Sequence, residues 1–254
     1  MVTGLLITGG PLPQTIDLFQ PREYRYSGGR YQDEPFYYRI FIPEPINGDE
    51  KYPLVLWLHG YGEGEVAETS GEKNIVQLAH TELVFTTPED LRRYRFFMVA
   101  MQCRRDDPAW FHRHGPLENA ARKGDEAITV LMEITNHTID HNPIDEERIY
   151  LTGFCSGGDG CWELAKRYPE RFAAMLPFAS NGGDVSRADQ LVGIPIWAFH
   201  STNDYMVSPR GIRAIIPAVK RAGGNAELTE VDSRDHDCWT TAFRDYDALD
   251  WLLA

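Results

Sequence analysis

One turn determines the architecture of this chain: Ile149-Tyr150-Leu151-Thr152-Gly153-Phe154-Cys155-Ser156-Gly157-Gly158. An apolar run typical of a strand leads directly into glycines, and residues 159–168 have the pattern of a helix that ends before a proline. In such a strand–turn–helix unit the residue at the tip is strained, so its neighbours two positions away must be nearly free of side chains. Gly153 and Gly157 therefore put Cys155 at the tip, since a tip at Ser156 would put Phe154 in a glycine position.

Short apolar runs alternate with helical patterns on both sides of this turn. The predicted strands are 24–26, 36–42, 54–58, 96–100, 149–151, 174–178, 196–199 and 227–231. Helical spacing covers about 124–139, 212–222 and 240–253, and the alternation in 227–231 is typical of an edge strand. This order predicts an α/β fold with a doubly wound, mostly parallel sheet flanked by helices. We expect one domain over 1–254, with an N-terminal β region at 1–50 and a segment at 62–95 that covers the site.

Composition excludes several classes of function. The chain has 254 residues, 43% of them hydrophobic, and a net charge of -13. Such an acidic protein is repelled by phosphate, so neither nucleic acid nor an anionic membrane is expected as a partner. No apolar run is long enough to span a membrane, and residues 1–10 lack the features of a signal peptide. We therefore expect a cytoplasmic protein, or a secreted one whose leader has been removed, and the sequence predicts no oligomeric state.

Two loops supply partners for a nucleophile at the turn. Asp204 follows the strand 196–199, and His236 follows the last predicted strand, so both belong at the carboxyl edge of the sheet. Nucleophile, acid and histidine then occur in the chain order typical of a catalytic triad on such a sheet. In isolation Asp204 also fits an ordinary turn and His236 a solvated surface position.

Glycines follow the first fully apolar strand, in His59-Gly60-Tyr61-Gly62-Glu63. A backbone N–H of this loop can turn inward and pair with that of Ser156 to hold an oxyanion. A phosphate loop is disfavoured because no Gly-Lys-Ser/Thr follows. A metal site is disfavoured because His112, His114 and the aspartates at 106–107 lack ligand spacing. No cofactor is predicted.

With these motifs in place, the chain resembles the α/β-hydrolase superfamily. Within it, the chain is most similar to the phospholipase/carboxylesterase, feruloyl-esterase and polyhydroxybutyrate-depolymerase-like branch, often labelled predicted peptidases. The matching stretches are 56–63, 101–103 with Trp110, 148–153, 157–162, 167–169, 199–207, 236–239 and 249–253. The resemblance implies Cys155 as nucleophile, His236 as base and Asp204 as the acid that orients it. It also implies the amides of Tyr61, or alternatively Gly62, and Ser156 as oxyanion hole.

Cys155 departs from this branch, which has serine there, and is similar to the Gly-x-Cys-x-Gly of dienelactone hydrolases. A helix N-terminus and a nearby imidazole lower a thiol's pKa, so we expect a preformed thiolate. A thiolate nucleophile favours esters and lactones over peptides, because it leaves a tetrahedral intermediate more easily than an amine does. Two alternatives stay open: an engineered replacement of a natural serine, and a non-catalytic binding protein of the same fold.

A small-molecule ester or lactone is therefore the expected partner. Gly62, Trp110 and Trp239 are predicted to contact it, and the wider aromatic set suits an aryl or extended acyl group or, alternatively, packing in a lid or core. That wider set is Tyr61, Trp110, Phe111, Tyr205 and Trp239. The arginines at 104, 105 and 113 are predicted to receive a carboxylate.

Overall fold

The computed structural model describes residues 14–64, 74–81, 84, 93–104, 110 and 125–254. Within these ranges the chain forms an eight-stranded sheet with the strand order β1-β2-β4-β3-β5-β6-β7-β8. The strands are β1 (Phe19–Gly28), β2 (Tyr31–Phe41), β3 (Tyr52–Leu58), β4 (Phe97–Met101), β5 (Ile144–Phe154), β6 (Ala174–Phe178), β7 (Ile196–Ser201) and β8 (Ala226–Val231). Strands β1 and β2 pair antiparallel, as do β2 and β4, whereas the pairs from β4 through β3 to β8 are parallel. The predicted mostly parallel sheet and the edge position of β8 are confirmed.

Helices cover both faces of the sheet. They are α1 (Asp125–His141), α2 (Ser156–Arg167), α3 (Arg210–Arg221), α4 (Trp239–Asp245) and α5 (Ala248–Leu252). Helices α1, α2 and α3 contribute buried side chains to one hydrophobic cluster, and α4 and α5 to the other. None of the helices in the described ranges combines the length and apolar character needed to cross a lipid bilayer.

Strand β3 shows why its sequence is apolar at every position. Leu54, Leu56 and Leu58 point into the cluster under α1 to α3, while Val55 and Trp57 point into the cluster under α4 and α5. All seven residues of the strand are buried. A strand buried on both faces has no place for alternating polar residues.

The C-terminal helix differs from its prediction. The pattern over 240–253 predicts one helix, but the structure has two, α4 and α5, separated at Tyr246 and Asp247. Asp247 has a φ of 50° in the left-handed region, which ends the helical hydrogen bonding. The ring of Tyr246 packs edge-on against Trp197 and Phe199 of β7, so tertiary packing holds the break. Most of the predicted covering segment at 62–95 lies outside the described residues.

Candidate active site

Cys155 lies at the sharp turn between β5 and α2. Its backbone has φ 55° and ψ −122°, which is a strained conformation for a residue with a side chain. A Cβ on Gly157 would lie 2.0 Å from the carbonyl oxygen of Leu58, and one on Gly153 would lie 2.6 Å from the same atom. Both positions are therefore restricted to glycine by the backbone of β3. The N–H of Cys155 donates to the carbonyl of Phe178 at 3.0 Å, which ties the turn to β6.

The backbone N–H groups of Tyr61 and Ser156 are near enough to the thiol of Cys155 to lower its pKa. These two donors converge from separate elements, the loop after β3 and the first residue of α2. Burial raises the pKa of the Cys155 thiol, the two N–H groups lower it, and the carboxyls of Asp159 and Glu63 raise it further. The net direction is upward, so the expectation of a preformed thiolate is wrong. Desolvation and two neighbouring acids outweigh the amide dipoles.

His59 supports the loop that carries Tyr61. Its Nε2 accepts from the N–H of Cys103 at 3.0 Å, so Nδ1 carries the proton and donates to the carbonyl of Gly60 at 2.6 Å. Burial lowers the pKa of His59 to about 4 and keeps the ring neutral. The indole N–H of Trp110 donates to the His59 carbonyl at 2.9 Å, and Trp110 is fully buried. Trp110 is thus a support of the loop, in contrast to its predicted contact with substrate.

Asp204 and His236 are joined directly. Nδ1 of His236 lies 2.6 Å from Oδ2 of Asp204, whose side chain has no exposed area. The second carboxylate oxygen of Asp204 accepts from the N–H groups of Met206 and Val207 at 2.8 and 2.9 Å. With a carboxylate at Nδ1, the proton resides there and Nε2 presents a lone pair.

Backbone hydrogen bonds that continue past the ends of β7 and β8 align the two loops that carry Asp204 and His236. The N–H of Thr202 donates to the carbonyl of Val231 at 2.9 Å, and that of Asn203 donates to the carbonyl of Ser233 at 3.0 Å. The loops after β7 and β8 therefore run side by side at the carboxyl edge. This register brings an acid and a base that are 32 residues apart within hydrogen-bonding distance.

Trp239 connects the turn with the imidazole. Its ring centroid lies 4.8 Å from that of Phe154, which precedes Cys155, and 5.6 Å from that of His236, edge-on. Nε2 of His236 is buried and has no hydrogen-bond partner within the described ranges.

The remaining predicted site residues fall into three groups. Tyr61 and Tyr205 are exposed, at 62% and 68%, and Gly62 is also at the surface. Trp239 is 5% exposed and contacts His236. Residues 105–109 and 111–124 lie outside the described residues, and these include Phe111, the predicted arginines at 105 and 113, and the histidines and aspartates weighed as metal ligands. The described ranges hold no group of three or more side chains suited to a metal ion.

Sequence reasoning missed three residues near the turn that carries Cys155. Glu63 is buried in the loop after β3, and Asp159 lies in the first turn of α2, where it accepts from Asn181 at 2.7 and 2.8 Å. His80 packs its ring 5.1 Å from both Phe154 and Trp239. A glutamate inside a glycine-rich loop at a strand's carboxyl end was a visible signal for Glu63. No pattern in the sequence marked His80.

A mostly parallel sheet whose central strand ends in a strained turn, with an acid–histidine pair on the following loops, defines an α/β-hydrolase. Solved structures with this fold include a thermostable esterase, 30% identical with a TM-score of 0.79. That match covers 93% of this chain, and the chain spans 63% of that esterase's length. No curated protein sequence matches the chain.

Two further structures share the fold at lower identity. A ferulic acid esterase of Anaeromyces mucronatus is 16% identical with a TM-score of 0.63, covering 90% of this chain and 88% of its own. A protein described as a dienelactone hydrolase of Klebsiella pneumoniae is 17% identical with a TM-score of 0.60, covering 91% and 94%.

The family is shown by the sequence itself. Residues 44–248 match the model of the phospholipase/carboxylesterase family, and the chain belongs to that family. The predicted phospholipase/carboxylesterase branch of the α/β-hydrolases is thereby confirmed.

Proposed function

We propose that this chain hydrolyses carboxylic esters or lactones in two steps, through an acyl group bound to Cys155. His236 is the base, Asp204 orients it, and the N–H groups of Tyr61 and Ser156 form the oxyanion hole. The observation that carries the proposal is the position of the sulfur, at a strained turn where two backbone donors converge on it. Membership in an esterase family supports it.

Acylation begins with a protonated nucleophile, because burial keeps the pKa of the thiol high. As Sγ bonds to the ester carbonyl carbon, its proton moves to Nε2 of His236 and the carbonyl π electrons move to oxygen. The carboxylate of Asp204 at Nδ1 stabilises the imidazolium that forms. The tetrahedral intermediate then collapses, and the leaving alkoxide takes the proton from Nε2.

Substrate binding has to displace the sulfur. The two N–H groups that lower the pKa of the resting thiol are the donors that the oxyanion needs. When a carbonyl oxygen takes these donors, Sγ turns toward Nε2 of His236, which has no hydrogen-bond partner within the described ranges. Proton transfer and attack therefore follow the arrival of substrate.

Deacylation reverses the roles. Water attacks the thioester carbon while Nε2 of His236 accepts its proton, and the oxyanion again lies on the N–H groups of Tyr61 and Ser156. The second intermediate expels Sγ, which recovers the proton from His236, and the carboxylic acid leaves. No step calls for a cofactor.

The surroundings favour aryl or extended esters. Trp239 packs against both Phe154 at the turn and the imidazole of His236, and Tyr61 and Tyr205 present exposed rings on the loops after β3 and β7. Exposed aromatic rings next to a reactive centre bind flat or long apolar groups. Ferulic acid esterases among the structures of the same fold are compatible with such a substrate.

Alkylation is the direct test. Cys103, Cys161 and Cys238 are at most 1% exposed, so iodoacetamide labels Cys155 selectively. We expect turnover of p-nitrophenyl acetate and butyrate to fall in proportion to labelling, and mass spectrometry of the quenched reaction to find an acyl adduct on Cys155. Turnover that survives complete labelling refutes the proposal.

The Cys155→Ser variant separates the two alternatives. A natural cysteine hydrolase loses activity in this variant, whereas an engineered replacement of serine gains it. Absence of turnover in both proteins, across esters and lactones, indicates a non-catalytic binding protein.

A further inference from the structure

Glu63 is a buried carboxyl with an unusual place in the fold. It ends the short 3-10 helix Tyr61–Glu63, two residues from the oxyanion donor, and is 3% exposed. A Cβ built on Gly60 would lie 2.7 Å from its Oε2 and 2.8 Å from the ring of Phe154. The carboxyl is therefore packed against the base of the oxyanion loop, beside the residue that precedes the nucleophile. Oε2 has no hydrogen-bond partner within the described part of the chain.

The described groups around Glu63 supply no compensating charge. On its own loop, His59 is neutral because burial lowers its pKa to about 4. Gln102, which directly follows β4, has an uncharged side-chain amide that donates to the backbone carbonyl of Glu63 at 3.3 Å. From the turn, Cys155 is coupled to Glu63 and also to Asp159, and both carboxyls oppose a negative sulfur.

The charge on Glu63 determines whether negative charge at Cys155 and at the oxyanion is repelled. Burial raises the pKa of Glu63 to about 7, and only backbone N–H groups oppose this. An ionised Glu63 places a negative charge beside the two sites where catalysis develops negative charge, the sulfur of Cys155 and the oxyanion at the amide of Tyr61. A neutral Glu63 leaves both free of repulsion.

We propose that Glu63 is a positioning residue whose carboxyl must keep its proton while Cys155 attacks, so that loss of this proton slows the reaction. The inference rests on the proposed function, since it assumes that Cys155 is the nucleophile. Ionisation of Glu63 would then cause the fall in activity at alkaline pH.

The test compares Glu63→Gln with the wild type across pH 5.5 to 9. Glutamine keeps the size and polarity of the side chain but cannot ionise. Glu170→Gln is the matched control, because it removes one exposed carboxylate from the 3-10 turn Pro169–Arg171 that follows α2. We measure the rate of Cys155 labelling by iodoacetamide and, separately, kcat/KM for p-nitrophenyl butyrate.

We expect the ratio of variant to wild type to depend on pH. It is near 1 at pH 5.5, where Glu63 is neutral, and rises to about tenfold at pH 8.5 for kcat/KM. The labelling ratio rises about threefold to tenfold, since a less basic thiolate is also a weaker nucleophile. A purely structural role for Glu63 changes rates equally at every pH, so a flat ratio overturns the inference, as does a matching rise in Glu170→Gln.

Two readouts keep this inference separate from the proposed function. A pH-dependent labelling ratio without ester turnover supports the coupling of Glu63 to the thiol and overturns the proposed hydrolysis. Ester turnover together with a labelling ratio that does not change with pH supports the proposed hydrolysis and overturns the coupling of Glu63 to the thiol. The wild-type labelling curve is informative even if Glu63→Gln does not fold: coupling broadens the curve beyond a single ionisation, and a curve that fits one ionisation refutes the inference.

Discussion

Replacing Glu63 with glutamine should change how the stability of the protein depends on pH. An unfolded glutamate titrates near 4.5, whereas burial raises the pKa of folded Glu63 to about 7. Below pH 4.5 both states hold the proton and the contribution of Glu63 to stability is complete. As pH rises toward 7 only the unfolded chain releases it, so the folded state loses stability. The two values differ by roughly 2.5 pH units, and at about 1.4 kcal/mol per unit the loss is about 3 kcal/mol.

The glutamine variant does not undergo this loss. Urea unfolding followed by tryptophan fluorescence, at pH 5, 6, 7 and 8, gives the free energy of unfolding for both proteins. We expect the difference in favour of Glu63→Gln to widen by about 2.5 kcal/mol between pH 5 and 8. All other titrating groups cancel in the comparison, and Glu170→Gln should parallel the wild type. Parallel curves for Glu63→Gln would show that the carboxyl is hydrated and that the reasoning is wrong.

Three further changes test other parts of the structure. Gly157→Ala puts a Cβ 2.0 Å from the Leu58 carbonyl, so we expect urea unfolding to give a loss of about 3 kcal/mol or more; a loss below about 1 kcal/mol contradicts the close contact. Asp204→Asn replaces the carboxylate at Nδ1 of His236 with an uncharged amide, and kcat/KM should fall on the order of 10³-fold or more, while activity within threefold of wild type argues against this pair as base and orienting acid. Asp247→Gly relieves a left-handed φ of 50° and should raise the free energy of unfolding by about 0.5 kcal/mol; no gain indicates an unstrained break between α4 and α5.

Most of the fold was readable because its strands are buried on both faces. Leu54 to Leu58 form a continuous apolar run for that reason, and β8 alternates because it lies at the edge. The division of the last helix was not readable, since every residue from 240 to 245 and from 248 to 252 fits a helix. The break depends on Tyr246 packing against β7, a contact between distant parts of the chain.

The site was readable where covalent geometry or chain order constrains it. Gly153 and Gly157 mark the turn because the backbone of β3 passes within 2.6 Å of any Cβ there. The protonation state of Cys155 and the burial of Trp110 were harder to predict from the sequence. The helix N-terminus alone predicts an acidic thiol, and only the structure brings two carboxyls near Cys155. A tryptophan at this position suits a substrate contact, but the indole N–H of Trp110 donates to the backbone carbonyl of His59 inside the core.

The protonation state of the Cys155 thiol affects how readily the protein is oxidised in air. Peroxide oxidises thiolates to sulfenic acid far faster than it oxidises thiols. A Cys155 that keeps its proton is a poor reductant, since burial raises the pKa of its thiol. On the proposed mechanism its reactivity is confined to turnover, so the cysteine needs no reducing environment between reactions.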